Sequence, residues 1–545
     1  MGFFDTIKRW RLAKKGFSLG KKRRVHAESE TVKTLENSEY VRFALYVTFA
    51  VGTAVLVLNS TGSATFGAEP FQGMMYGFAL ALTALAVFHV GHHRVCQRNS
   101  RVILVLGGLL GHLLIVHLVM VLADSGSIHH TYRYLFVPCA LAPMLHGVLL
   151  GRVVGNFSAV YVSLIGSLLV PADDVMNYLV VSLVAGMTAV LFTDQVRKRT
   201  KLLRAGIYVG VVMVVLGLVL GKMDAMAVFQ EGSLGRLQIL GIGSLIAFAT
   251  ALGTAMVING LLPMFEGMFQ LTTDISWVEL TDMNHKLLKE MQLEAPGTFH
   301  HSLVVAALAE AAAEKIGANA SMCRVCAYFH DVGKLKKPGY FIENMSDGAE
   351  NLHDALTPTM SALIITAHVK DGIDMAVKHK LNPRIMQVIK EHHGDSLVYF
   401  FYRKAQEQKK AELEKVDRRL ENPEDLPKVE EKNFRYTGPR PSTKESGIIC
   451  LADTVESASR SLRKPTPAKI RALVDELVRA KVNDGQLDQC PITLGELAMV
   501  KESFSNTLRS MLHSRIVYQK PEEKSTGKRL SDHSRESRVG GGRSE

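Results

Sequence analysis

Between residues 41 and 262 the sequence consists mostly of apolar runs broken by short polar loops, which leaves the chain few folds to choose from. In hydrocarbon no water meets the backbone N–H and C=O groups, so a crossing segment must pair them internally, as a helix does. About 20 apolar residues at 1.5 Å each cover roughly 30 Å of lipid. Segments of this kind fall at 41–59, 73–91, 102–123, 134–151, 155–171, 176–193, 203–221 and 237–260. The fourth and fifth are short and parted by a polar hinge around Gly151, Arg152 and Asn156, so six spans plus a re-entrant pair is the other reading. Residues 263–545 read instead as a charged globular chain with a polar end, so the 47% of hydrophobic residues is concentrated in the first half.

Lysine and arginine crowd the N-terminal arm (Lys8, Arg9, Arg11, Lys14, Lys15, Lys21, Lys22, Arg23, Arg24), the 92–101 loop and the 194–204 loop. The positive-inside rule puts all three in the cytoplasm. An even number of crossings, eight or six plus a re-entrant pair, returns the second half to that side, as expected of a multi-pass protein of the cell (inner) membrane with the lipid bilayer as partner. "KKRR" at 21–24 is explained by this topology, and no nucleic-acid polymer is an expected partner. The first apolar run begins too late and is too long for a cleaved signal peptide. The cysteines suggest no disulfide framework, and Cys323-x-x-Cys326 has no second pair to complete a zinc site. His89, His92, His93, His112, His117 and His146 lie in or beside the spans and are candidates for a buried sensor, though nothing selects a ligand.

After the last span, apolar residues recurring at three and four through "DISWVELTDMNHKLLKEM" predict one or two amphipathic linker helices. A Pro-Gly turn then opens "APGTFHHSLVVAALAEAAAEKIGA", a long helix with His300 and His301 at its start. His330 and Asp331 end the apolar helix "MCRVCAYF"; His368, His392, His393 and Asp453 punctuate later ones. These residues can converge on one pocket. His301, His330, Asp331, His368, His392, His393 and Asp453 are more ligands than one octahedral ion takes while leaving room for water and substrate. The count favours two ions, because imidazole binds one whereas a carboxylate such as Asp331 can bridge a pair roughly 3.5–4 Å apart. Such a pair would lower the pKa of a shared water toward about 7.

The strings "APGTFHHS", "AYFHDVGKLKKPGYFIEN", "EHHGD", "FRYTGPRPSTKES", "LADTVESASRSL" and "DGQLDQCPITLGEL" resemble the HD-domain metal-dependent phosphohydrolases. In the longer strings the chain is similar to their membrane branch, the seven-transmembrane receptors with an intracellular HD hydrolase. The resemblance implies an all-α fold, a polytopic transmembrane helical bundle followed by a cytosolic all-helical HD domain. The expected divisions are a basic arm at 1–40, the bundle at 41–262, linker helices at 263–294, the HD domain at 295–519 with a charged insert at 403–433, and a disordered tail at 520–545.

The resemblance further implies two divalent ions, manganese or iron, and a cyclic dinucleotide substrate, cyclic di-AMP hydrolysed to pApA. One ion falls to His301, His330, Asp331 and Asp453, the other to Asp331, His368, His392 and His393. His301 rather than His300 is chosen because the family's ligand directly precedes a serine, here Ser302. Asp331 and Lys334 are the expected catalytic residues, Lys334 pairing with a phosphate oxygen as negative charge grows. Cyclic di-GMP or another nucleotide is the alternative substrate, since no Gly-Tyr-Pro string follows the HD motif; a weakly catalytic nucleotide-binding receptor is the alternative class. A homodimer is compatible with the sequence.

Three departures stand out. Only residues 60–72 separate the first two spans, where relatives commonly carry a large outer domain. Lys286 follows His285 where proline is usual, and Asp395 follows Gly394 where threonine is usual. A carboxylate at 395 is expected to repel phosphate if it faces the site. Within 403–433, Glu and Lys at helical offsets predict a solvated helix ending near Pro423.

Overall fold

The computed structural model describes residues 30–60, 70–129, 132–194, 196–221, 234–345, 348, 350–419, 429–462 and 465–513. The arm to residue 29, most of the loop between the first two spans, residues 420–428 of the charged insert and the tail from 520 lie outside them. Among the described residues the fold is helical, with a single isolated β-bridge between Leu397 and Arg435.

The first half forms α1 (Glu39–Leu58), α2 (Pro70–Gly91), α3 (Asn99–Asp124), α4 (Leu141–Leu150), α5 (Arg152–Gly166), α6 (Val175–Phe192), α7 (Arg199–Val219) and α8 (Leu234–Phe269). Seven helices among the described residues are long and apolar enough to cross a membrane, and α4 is the shorter one. Outward-facing Phe43, Val47, Val51 and Val55 recur every fourth residue along α1, a stripe suited to lipid.

Contacts tell which end each segment reaches. Ser60, after α1, bonds to the Leu168 carbonyl after α5 (3.4 Å), and Arg133 pairs with Asp174 at the start of α6, which marks one end. At the other end Asn99 donates to the carbonyls of Leu35 (2.7 Å) and Ser38 (2.8 Å), and a Cβ on Gly147 would touch Thr193 just after α6. Residues 133–150 therefore run from one end to the other.

They do so with only the ten helical residues of α4, about 15 Å of rise. The expected span at 134–151 is corrected accordingly: Pro138 removes a backbone donor, so the helix starts only at Leu141, and Gly151 turns the chain back with a φ of 95° that a side chain resists. The last helix also differs from expectation, continuing past residue 260 to Phe269 with Pro263 inside it.

The second half builds α9 (Asp274–Glu279), α10 (Lys286–Glu294), α11 (Pro296–Lys315), α12 (Ala320–Phe329), α13 (Pro358–Lys378), α14 (Pro383–Glu391), α15 (Tyr399–Arg419), α16 (Lys444–Ser459), α17 (Pro467–Asn483) and α18 (Leu494–His513). α11 is the centre, buried on Val305, Leu308, Ala309 and Ala312 and packed by α12, α16 and α18. Cys323 and Cys326 are buried in this same core.

Two cores meet at α9. Ile275 packs with the membrane helices and Trp277 with the second half. Arg199, beginning α7, binds Glu279 (2.6 Å), and Asn382 donates to Thr272 (2.8 Å). The second half thus sits on the end of the bundle that carries the 92–101 and 194–204 loops.

Candidate metal centre

Three histidines are aimed by one local device. The last carbonyls of a helix have no N–H partner within it, and a histidine ring folded back can supply one. His330, directly after α12, places Nδ1 2.7 Å from the Ala327 carbonyl; His392, directly after α14, places it 2.9 Å from that of Ile389. Within α13, His368 places its Nδ1 2.6 Å from the Ile365 carbonyl, a mid-helix carbonyl that there accepts a second donor. A carbonyl only accepts, so each Nδ1 carries the proton and each Nε2 presents a lone pair. His301, on α11, has its Nδ1 against the Glu456 carboxylate of α16.

The Nε2 atoms of these four rings surround Asp331. Its Oδ2 lies 3.4 Å from His301 Nε2 and 3.3 Å from His330 Nε2; its Oδ1 lies 3.3 Å from His368 Nε2 and 3.6 Å from His392 Nε2. Asp453 completes the first group at 3.0 Å from His301 Nε2, and its other oxygen is 3.4 Å from His393 Nδ1. All seven expected residues are brought together, in two groups that share Asp331: His301, His330, Asp331 and Asp453, and Asp331, His368, His392 and His393. His300 points to solvent, His285 accepts from the Leu287 N–H at the start of α10, and His353 bonds to the Tyr340 carbonyl.

The donor atoms fit divalent cations. His330 Nε2 and Asp331 Oδ1 are buried without a hydrogen bond, an arrangement that costs free energy unless something binds them. Imidazole and carboxylate suit first-row ions.

Burial opposes ionisation of Asp331, but the Lys334 ammonium outweighs it and holds its carboxyl well below the usual range. Burial likewise opposes charge on His301, yet hydrogen bonds to Asp453 and Glu456 bring its pKa up to about 9. His368 is pushed down to about 4, chiefly by burial. The Lys334 ammonium sits 2.7 Å from both Asp331 and Glu343. Despite burial, these two carboxylates keep it charged.

Gly333 lets this turn approach α13, because a Cβ there would lie 1.9 Å from the His368 carbonyl. The groups open on a cavity of about 390 Å³ whose walls include Lys334, Phe341, His393, Tyr436 and Lys481. The Tyr436 ring stacks on His393 with centroids 4.3 Å apart. Asp395 faces elsewhere, bound by Arg440 (3.1 Å) and Gln486 (2.7 Å).

Sequence reasoning missed Glu456 and Glu343, which steady His301 and Lys334. Glu456 could have been found: it stands one helical turn after Asp453, on the same face of α16.

The sequence matches the 7TM receptor with intracellular HD hydrolase over residues 71–273 and the HD domain over residues 298–458. It is 33% identical over 460 residues to the cyclic-di-AMP phosphodiesterase PgpH of Bacillus subtilis, covering 83% of this chain and 60% of that one. With the PgpH of Listeria monocytogenes it shares 35% over 387 residues, covering 71% and 50%. The solved HD domain of the Listeria protein in complex with cyclic-di-AMP is 41% identical, covers 42% of this chain and 98% of its own, and superposes with a TM-score of 0.38. The chain thus spans half to three fifths of the length of these curated relatives. Both halves of the molecule, helical bundle and histidine-lined domain, have their counterpart in a single architecture, and the chain belongs to the family of 7TM receptors with an intracellular HD hydrolase.

Proposed function

We propose that the chain is a membrane-anchored metal-dependent phosphodiesterase that hydrolyses cyclic di-AMP to pApA at a dinuclear HD centre, its rate set by the membrane bundle. The observation that carries this reading is the Asp331 carboxylate, whose two oxygens face different histidine groups. One ion falls to His301, His330, Asp331 and Asp453, the other to Asp331, His368, His392 and His393, with manganese or iron suited to the donors. When bound, such ions supply water activated at neutral pH and positive charge beside the phosphoryl oxygens. The substrate is suggested by the two PgpH relatives, both described as cyclic-di-AMP phosphodiesterases.

The chain's own residues do the rest. Lys334, charged and fixed between two carboxylates, is placed at the cavity wall to meet a phosphate oxygen as charge grows on it. Lys481 offers a second cation, and Tyr436 and Phe341 offer ring faces to a purine. The Ala327, Ile365 and Ile389 carbonyls and Glu456 keep four of the five imidazoles oriented, so little reorganisation is needed on binding. In this reading residues 295–519 form the hydrolase domain on the cytoplasmic side of the inner membrane, a side supported by the basic loops at the same end of the bundle.

The test is turnover by the full chain loaded with manganese or ferrous iron, following cyclic di-AMP and cyclic di-GMP by chromatography. Metal-dependent formation of pApA, absent from Asp331→Ala, is the expected result. Turnover of cyclic di-GMP alone would overturn the substrate, and tight nucleotide binding without turnover in the metal-loaded chain would overturn the enzyme.

A further inference from the structure

A second cavity, also of about 390 Å³, lies between the end of α8 and the start of α14, where the membrane bundle meets the HD domain. Its walls include Arg98, just before α3, Arg384 in the first turn of α14, and Thr272, Asn382 and Gln387. Among the described residues neither guanidinium has a carboxylate partner; Arg384 reaches the amide oxygen of Gln387 at 2.9 Å. Arg101, one turn beyond Arg98, lies within electrostatic reach of both.

The nearby acids are engaged elsewhere. Glu36 binds the Ser100 backbone and hydroxyl at the start of α3, and Glu266, on the cavity wall, accepts from the Thr273 N–H (2.7 Å) and the Ser276 hydroxyl (2.6 Å). Arg98 and Arg384 on the cavity wall repel one another, and Glu266, held by neutral donors on the same wall, offsets them only in part. The planar fork of arginine matches phosphate oxygens, and Thr272, which accepts from Asn382 at 2.8 Å, keeps its own hydrogen to donate.

We propose that this cavity binds a phosphate-bearing anion, the headgroup of a membrane lipid or a soluble phosphate, at a site separate from the HD centre. Its position gives it leverage. α14 is nine residues long, and His392 and His393 follow its last residue. An anion holding Arg384 therefore steadies the near end of the short rod whose far end carries two candidate metal ligands. That consequence for turnover rests on the function proposed above, whereas binding does not.

The experiment uses the full chain in lipid nanodiscs and reads thermal unfolding. One arm compares phosphatidylcholine discs with discs containing phosphatidylglycerol; the other titrates inorganic phosphate into phosphatidylcholine discs at matched ionic strength. Each arm is repeated with Arg98→Gln/Arg384→Gln and with Arg98→Lys/Arg384→Lys. The expected result is a raised melting temperature with at least one probe, an apparent affinity weakened about tenfold or more in the glutamine pair, and partial retention in the lysine pair. A shift with phosphatidylglycerol alone identifies a lipid headgroup; a shift with inorganic phosphate identifies a soluble anion. No shift with either probe, or one the glutamine pair keeps in full, overturns the proposal. Because the readout is binding, a chain that fails to hydrolyse any cyclic dinucleotide would sink the proposed enzyme and leave this result interpretable.

Discussion

The Nε2 atoms of His368 and His392 face each other at 3.2 Å, although each ring has already committed its proton to a backbone carbonyl through Nδ1. Two lone pairs at that distance repel, and a cation between them removes the conflict. His368→Ala is therefore expected to bind one ion where the parent binds two, and Asp331→Ala, which faces both groups, to bind neither tightly. Metal content of the purified chains by elemental mass spectrometry decides this. Two ions retained in Asp331→Ala would refute the shared-carboxylate arrangement.

Glu456 holds His301 from behind and is itself bound by Arg460 (2.8 Å). Glu456→Gln keeps the shape of the contact and removes the charge. Metal affinity should fall about tenfold or more, as for other partners that orient a metal-binding imidazole. A titration of turnover against metal concentration would show it, and high metal should restore most of the lost rate.

Lys334→Met should act in two places. In the metal-free chain it leaves Asp331 and Glu343 buried without their cation, a loss of about 3 kcal/mol that appears as a lower Tm. Loading with metal should recover part of that loss by neutralising Asp331. If Lys334 meets the phosphate as proposed above, turnover should nevertheless remain about a hundredfold lower.

Asp395→Thr should change turnover by less than about fivefold, the scale of an exposed ion pair, since its carboxylate is bound by Arg440 and Gln486 away from the cavity. Although burial raises it, those hydrogen bonds leave the folded pKa of Asp395 below its ordinary value. Its contribution to stability is then present above the unfolded pKa and fades as pH falls through the folded one. The variant and its parent should show parallel stability across the neutral range and converge in acid, a comparison that thermal unfolding against pH would make.

At the junction of the two halves, Glu279→Ala should cost less than about 1 kcal/mol, because its pair with Arg199 is largely exposed. Trp277→Ala should cost about 3–5 kcal/mol, since the ring is almost wholly buried. Denaturant unfolding of the two variants should rank them in that order.

Much of this was legible in the sequence because it depends on composition and local pattern. The apolar runs mark the spans, and the seven His and Asp residues fall at helix ends or on helix faces, where convergence is easy. The rest depends on contacts between distant segments. The brevity of α4 follows from Pro138 and Gly151, yet an apolar run of ordinary length concealed it. α8 runs on past Pro263 because a helix need not end where hydrocarbon does. Glu343 gains its role only when the turn at Gly333 presses against α13. Arg98 and Arg384, far apart in the chain, become neighbours only when α14 docks beneath the bundle.

Ile275 and Trp277 are two residues apart on α9, so their side chains project about 200° from each other around its axis. One is held by the core of the membrane helices and the other by the core of the HD domain. Such a helix behaves like an axle gripped on both sides: spinning it would pull one side chain or the other out of its socket. A displacement of the bundle is therefore better passed to the HD domain by α9 tilting or shifting as a rigid piece than by torsion.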